Sequence, residues 1–464
     1  MKALGVFLIG FALAVALIFI EPAIFGGDTI IRLVHRDDLF MAHNLPLLQA
    51  LISAVSRISM NSLLIRILDA ALGALGGVGF YWMAGDLFGE KWALPAALLY
   101  ITNPFFLPLS TVPFQEPLML ACLVLAFHFF YREQWPLASL FLALACFTRY
   151  EVWAACPVLA LAYILCKDRT LIGCIKGALL FGWAPAVWLV AHRGLSAPGH
   201  FVIERSLSIW RLQRYPYLAW ITVKNTPVTV LLLAAIGIWF IWKKHLLSDW
   251  RLKIQLAFVL LFLAAIPFSA HGVLPDPERY VTAREAFIPI YAVLLAAVIG
   301  LDQWPRFAKP IVVVSVVLGI AGAWVYVHRE TSKPEVDLGY RLAKYLDRAV
   351  QDNERALVLS KPITEESLQP YLGKARATGG EEGLRQARLE LQKADLSGPD
   401  FERTLAQSRL GRARLLAPPV DCAEWIAVWD DYPEASQVLN GAQPTDVLHS
   451  GPRSVTILRR QCVH

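Results

Sequence analysis

Eleven apolar runs, near residues 3–20, 61–83, 92–109, 117–131, 136–149, 152–166, 171–191, 226–242, 254–270, 286–301 and 310–327, leave this chain little freedom to fold in water. A hydrocarbon core about 30 Å thick takes about 20 apolar residues as helix, and somewhat fewer where the ends snorkel. The composition agrees: 464 residues, 56% hydrophobic and 17% charged, with a mean hydropathy of +0.50, are too apolar for a soluble globular chain. The fold class that follows is a polytopic α-helical membrane protein of about eleven spans. Met1-Lys2 before the first run resembles a signal peptide, but Glu21-Pro22-Ala23 offers no small-x-small site, so an uncleaved span is expected.

Charge marks a boundary near Tyr326. Residues 329–464 hold 19 Lys and Arg and 20 Asp and Glu, against 24 and 17 in the longer part before them. A membrane domain, 1–328, is therefore expected to precede a soluble domain, 329–464. The tail alternates helical patterns (Val336–Val350, Glu381–Ala394, Asp400–Leu410) with strand-like ones (Ala356–Leu359, Trp425–Trp429, Ser454–Leu458), which predicts a small α/β fold. The basic surplus of the membrane part suits anionic lipids, and no basic run with interleaved aromatics points to nucleic acid. A nucleotide-driven pump is disfavoured too, since no glycine-rich phosphate loop is present. Five cysteines, Cys122, Cys146, Cys156, Cys166 and Cys174, lie in or beside apolar runs, where buried inert thiols are expected. Cys422 and Cys462 form a disulfide only if the tail lies in an oxidising compartment.

The even-numbered connections between runs carry Lys91, Arg132, Lys167 with Arg169, Lys243 through Lys253, and Arg306 with Lys309. By the positive-inside rule these are cytoplasmic, which places the N-terminus inside and, after an odd number of spans, the tail outside. The expected location is the plasma (inner) membrane with a periplasmic or extracytoplasmic tail. In the first outside connection Pro46 to Arg57 has helical spacing and is too short to span, as in a helix along the membrane surface.

The outside connections gather Asp28, Arg32, Asp37, Asp38, Glu116, Arg149, Glu151, Arg205, Arg211, Arg214, Asp276, Glu278, Arg279 and Arg284 on one face. Half-desolvated acids and arginines are costly, so both signs together suggest an anionic substrate and acid/base chemistry. Asp28 follows Gly26-Gly27, precedes a helical pattern from Thr29 to Phe40 and has Arg32 one turn on, which suits an ionised general base; the same pattern also suits a helix N-cap. Glu116, in Gln115-Glu116-Pro117, is either a site acid or a carboxylate placed against a helix dipole. Arg149 in Thr148-Arg149-Tyr150-Glu151 either pairs with Glu151 or offers a phosphate its two-pronged donors. Arg279-Tyr280 is a phosphate clamp or an interfacial anchor. No acid–histidine cluster indicates a metal, although His35, His43 and His271 are available, and no cofactor is expected.

Taken in order, the acid after the first span, the short helix, Gln115-Glu116-Pro117, Thr148-Arg149-Tyr150-Glu151, Glu278-Arg279-Tyr280 and an outside α/β tail resemble the GT-C glycosyltransferases. Nearest is the polyprenyl-phosphate-sugar-dependent branch related to protein O-mannosyltransferases and the lipid A aminoarabinose transferase. The resemblance covers about residues 1–330. It implies inverting transfer of a sugar, mannose-like hexose or pentose, from a polyprenyl phosphate to a protein, lipid or glycan acceptor of the cell envelope. It also implies that Asp28 is the base and that Arg149, Arg279 and Tyr280 meet the phosphate. Glu116 is expected to join Asp28 as a catalytic residue, and Arg32, Asp37 and Glu151 are expected to bind substrate. Many relatives carry adjacent acids after the first span; here the adjacent pair is Asp37-Asp38, so Asp37 competes with Asp28 for the role. A transporter or flippase of a lipid-linked or anionic substrate is the alternative, and Arg66 and Asp69 are the obvious mid-run charges it would use. A structural scaffold would leave the one-sided charges unexplained.

Overall fold

The computed structural model of the chain describes residues 1–36, 45–59, 61–195, 214–243, 249–265, 286–352, 354–361, 399–410, 414–417, 423–440 and 442–459. The described part of each of the eleven apolar runs is largely helical. In chain order the helices are α1 (Lys2–Ile20), α2 (Gly27–Val34), α3 (Pro46–Ile58), α4 (Ser62–Phe88), α5 (Glu90–Ile101), α6 (Phe106–Leu109), α7 (Gln115–Tyr131), α8 (Trp135–Cys146) and α9 (Ala155–Cys166). They continue as α10 (Leu171–Leu195), α11 (Arg214–Lys224), α12 (Val228–Lys243), α13 (Trp250–Ala265), α14 (Phe287–Gln303) and α15 (Pro305–Thr331). Four of these, α1, α4, α10 over Leu171–Ala191, and α15, are both long and apolar enough to cross a membrane. Several shorter apolar helices, α7, α8, α12 and α14 among them, accompany them.

The chain packs as two compact units. One comprises Met1–Ile18, Phe40–Leu48 and Ile67–Tyr326; the other comprises Phe19–Leu39, Gln49–Arg66 and Val327–His464. The connection after α1 therefore packs with the tail.

In the first unit the helices approach through small residues, as apolar helices without a hydrophobic drive between them must. A Cβ on Gly237 of α12 would overlap the carbonyl oxygen of Ala296 on α14, and one on Gly300 would overlap that of Leu233. Buried polar groups there are joined end to end. Tyr291 donates to Gln255 Oε1 at 2.6 Å, Gln255 Nε2 donates to the Tyr131 hydroxyl at 2.5 Å, and Tyr131 donates to the Arg251 carbonyl at 3.3 Å. This chain links α14, α13 and α7 across an apolar interior, where an unmet hydrogen bond is expensive. Asp86, at the end of α4, is met by His128 Nδ1 at 2.6 Å and Arg132 Nε at 2.8 Å, and Arg251 donates to its carbonyl.

In the second unit the tail forms α16 (Pro334–Ala349), α17 (Pro399–Gln407), α18 (Ala435–Leu439) and a five-stranded sheet of order β2-β1-β3-β5-β4. The strands are β1 (Ala356–Leu359), β2 (Leu415–Leu416), β3 (Trp425–Trp429), β4 (Asp446–Ser450) and β5 (Arg453–Arg459). Parallel pairing of β1 with β2 and β3 gives way to antiparallel pairing of β3 with β5 and β5 with β4. Central β1 and β3 are buried on both faces, which is why Ala-Leu-Val-Leu and Trp-Ile-Ala-Val-Trp run unbroken by polar residues. Helix α16 lies against β4, β5 and α17 and buries Leu338, Leu342 and Leu346.

Some expectations need correcting. The helical pattern from Thr29 to Phe40 stops at Val34, and His35 begins a turn. Asp400–Leu410 is helical only to Gln407, while β2, α18 and β4 were not foreseen. Helix α3 exists, but the face it buries carries Gln49, Ser53 and Ser56 as well as apolar side chains. Cys122, Cys146 and Cys156 are buried, whereas Cys166 is exposed and Cys174 half-buried. Glu381–Ala394, Cys422 and Cys462 lie outside the described residues.

Two outcomes follow. Gly237→Ala forces α12 from α14 and should lower the unfolding temperature, at the order of 1–3 kcal/mol typical of overpacking; Gly182→Ala, where nothing lies within 4 Å of the added carbon, should not. Equal unfolding temperatures in detergent would contradict the close crossing. In the tail, the Glu354 carboxyl is held below its ordinary value near 4.5 by the Gln351 N–H, then by Trp425 Nε1 and Arg459. A depressed carboxyl contributes stability that is present above its unfolded value and is lost as pH falls through the folded one. Hydrogen exchange in β1 and β3 should therefore quicken as pH drops below about 4.5 beyond the intrinsic trend, and Glu354→Gln should remove that dependence.

Candidate functional site

Three residues from the sequence-derived set meet in the first unit. Pro113 and Pro117 frame the entry to α7, whose first turn holds Glu116, fully buried. Helix α8 ends at Cys146, and Thr148 turns its hydroxyl back to the Ala145 carbonyl. Arg149 is then extended (φ −149°, ψ 138°), and a 3-10 turn, Tyr150–Ala154, carries Glu151. This local break brings Glu151 back to the arginine only two residues away.

Arg149 Nη1 donates to Glu116 Oε1 at 2.7 Å, its Nε donates to Glu151 Oε2 at 3.1 Å, and Nη2 bonds Glu151 Oε1. The guanidinium thus meets Glu151 as a fork and Glu116 at its far side, with the Phe287 ring 5.7 Å from Cζ. The side chains of Arg149, Glu116 and Glu151 are 8%, 1% and 11% exposed. The guanidinium is thus shared between the two carboxylates. The surroundings brace it: Trp188 Nε1 donates to the Tyr150 hydroxyl at 3.2 Å, Trp153 Nε1 to the Cys146 carbonyl at 3.1 Å, and Leu47 N to the Phe147 carbonyl at 3.1 Å. The Cys146 and Cys156 thiols lie 3.4 Å apart beneath the same loop.

Asp28 belongs to the second unit. Helix α2 is capped by Gly26, whose φ of 88° only glycine adopts without strain, so Asp28 stands within the first helical turn rather than at the cap. Arg32 is buried on the same helix and donates to Gln49 Oε1 at 3.5 Å; Gln49 Nε2 returns bonds to the carbonyls of Arg32 and His35 at 3.3 and 2.8 Å. Asp37, Asp38, His43, Arg205, Arg211, His271, Asp276, Glu278, Arg279, Tyr280 and Arg284 lie outside the described residues. Among the described residues no group of three His, Cys, Asp or Glu is arranged to hold a metal.

No family model and no curated protein sequence matches the chain. Solved structures do. The crystal structure of ArnT from Cupriavidus metallidurans in the apo state superposes with a TM-score of 0.56 at 13% identity, covering 98% of each chain. That of ArnT bound to undecaprenyl phosphate gives 0.56 at 13%, covering 97% of each. The chain has the fold of ArnT. It is a GT-C fold, as the order of motifs implied. An oligosaccharyltransferase from Archaeoglobus fulgidus, in complex with Zn and sulfate, matches at 0.49 and 12%, over 91% of this chain and 67% of that one.

Within the ArnT fold, sequence reasoning missed Gln49 and Phe287. Gln49 carried a usable signal, an amide among the apolar residues and serines of the buried face of α3; Phe287 carried none, being one aromatic among many at the start of an apolar run. The buried ion cluster makes a sharp expectation. Arg149→Met removes the cation that both Glu116 and Glu151 bond and should cost about 3–5 kcal/mol, the order for breaking a buried ion pair. Arg149→Lys, a point charge without the fork, should recover part of it. An Arg149→Met protein that unfolds in detergent at the wild-type temperature would contradict the cluster.

Proposed function

We propose that this chain is a membrane glycosyltransferase that moves a sugar from a polyprenyl-phosphate donor to an extracytoplasmic acceptor with inversion. The observation that carries it is the ArnT fold over 98% of both chains, in a protein whose other structure holds undecaprenyl phosphate. The acceptor hydroxyl oxygen attacks the anomeric carbon as the carbon–oxygen bond to phosphate breaks. Its proton passes to the Asp28 carboxylate, with Asp37 as the competing base, and the electron pair leaves on the polyprenyl phosphate. The donor brings its own activation, so the protein's work is orientation and charge stabilisation.

In this reading Arg149, with Arg279 and Tyr280, meets the leaving phosphate. Glu116 acts through Arg149: together with Glu151 it fixes the guanidinium before the donor arrives, so the cation is not ordered at the moment it is needed. Both acids draw on the charge of Arg149, and Arg279 brings a second cation to the growing phosphate charge. The sugar is a mannose-like hexose or a pentose, and the N-terminus is cytoplasmic with the tail outside.

Transfer of labelled sugar from polyprenyl-phosphate donors by the purified full chain tests the reading. Asp28→Asn should lower kcat about 10²–10⁴-fold, the range for a lost general base. Loss confined to Asp37→Asn moves the base there, and movement of lipid-linked substrate across vesicles without transfer overturns the enzyme in favour of a transporter.

A further inference from the structure

The segment Glu21–Gly26 leads from α1 to Asp28, and four side chains of its own compact unit hold it. Arg66, buried near the start of α4, donates Nη1 to the Pro22 carbonyl at 2.5 Å and Nη2 to the Glu21 carbonyl at 3.2 Å. The Glu21 carboxylate takes the Thr331 hydroxyl at 2.6 Å and lies 2.7 Å from His328 Nδ1. The Ile24 N–H donates to Gln407 Oε1 at 3.0 Å. Ala23, Ile24 and Phe25 are buried, so the approach to the Gly26 cap is fixed by packing as well.

Gln407 ends α17, which itself packs on α2. Helix α17 is anchored at both ends. Asp400 at its start binds Arg403 at 2.6 Å and Arg453 of β5 at 3.2 Å, and Arg453 also holds Asp430 at 2.8 Å and Asp431 at 3.0 Å beyond β3. At its end Ser408 Oγ and Arg409 N both donate to Asp347 of α16, at 2.6 and 2.9 Å. Sheet, α17 and the Ile24 backbone are thus joined in series, four residues before Asp28.

We infer that the C-terminal domain is a positioning element for the proposed base, and that Gln407 is the positioning residue through which it acts. The inference rests on Asp28 taking the acceptor's proton. Gln407 touches no reacting atom; it sets where α2 begins, and so where Asp28 stands. Small misplacements of a reacting group cost rate steeply, about a hundredfold per ångström, while leaving donor binding largely intact.

The test uses the full chain in membranes, with Gln407→Ala beside Gln407→Glu, which keeps an acceptor for the Ile24 N–H. Thr331→Val, which removes one hold on Glu21 and leaves α17 and the sheet untouched, is the second route. Gln407→Ala and Thr331→Val should lower kcat about ten- to a hundredfold with an unchanged donor KM. They should also quicken amide exchange over residues 21–30 while leaving β1, β3 and β5 protected; Gln407→Glu should restore both. Unchanged exchange over 21–30, wild-type kcat with quickened exchange, or exchange that quickens through the sheet would each overturn the positioning role. Full activity of Asp28→Asn would instead sink the base assignment, and the exchange result would still report whether the tail holds the segment.

Discussion

An arginine inside an apolar bundle is tolerable only when its donors are taken up, and the placement of this protein's buried arginines organises what surrounds them. Their donors are met in three ways. Arg149 bonds two carboxylates, Arg66 and Arg36 bond backbone carbonyls, and Arg32 bonds the amide of Gln49. The choice of partner sets the chemistry. Two carboxylates fix the plane of the Arg149 guanidinium, whereas the carbonyls turn the charge of Arg66 to holding backbone. Arg149 ties the start of α7 to the turn after α8, and Arg66 braces the segment that leads to Asp28.

Much of the architecture was legible because a bilayer admits so few solutions. Eleven apolar runs read as helices, and the described part of each is largely helical, with 92–109 broken into α5 and α6; the charge-rich tail read as α/β, and β1, β3 and β5 stand where Val, Ile, Leu and Trp cluster. The pairing of Arg149 with Glu151 was one of two readings of their motif, whereas their meeting with Glu116 was foreseen only as company on one face. Nothing in their spacing says that Arg149 spans both acids, because that depends on an extended residue at 149 and a 3-10 turn after it. The short α2 was misjudged for a related reason. Thr29 to Phe40 keeps a helical pattern, but the turn at His35 is fixed by Gln49, whose side chain captures the carbonyls of Arg32 and His35 from another helix. Sequence periodicity does not register such a capture.

The 13% identity to ArnT across nearly the whole of both chains has the same origin. Apolar spans tolerate exchange of one aliphatic side chain for another, so the fold persists while the letters change. What cannot be exchanged freely are close approaches, such as Gly237 and Gly300 between α12 and α14, and buried charges with their partners. A shared fold accordingly says little about which sugar is moved, since that choice belongs to side chains a fold comparison does not weigh.

The Asp28 segment is held by contacts unusually distant along the chain. Ile24 and Gln407 are 383 residues apart, and Glu21 and Thr331 are 310 apart. Closing so large a loop carries an entropic cost that grows only slowly with length, so distance along the chain is no bar to such a hold. The two Arg66 bonds join residues 44 and 45 apart, whereas Thr331 and Gln407 reach the segment from more than 300 residues away. All of these partners lie in the compact unit that holds the segment. The course of the chain from Glu21 to Gly26 is therefore set by residues far from it as much as by its own sequence.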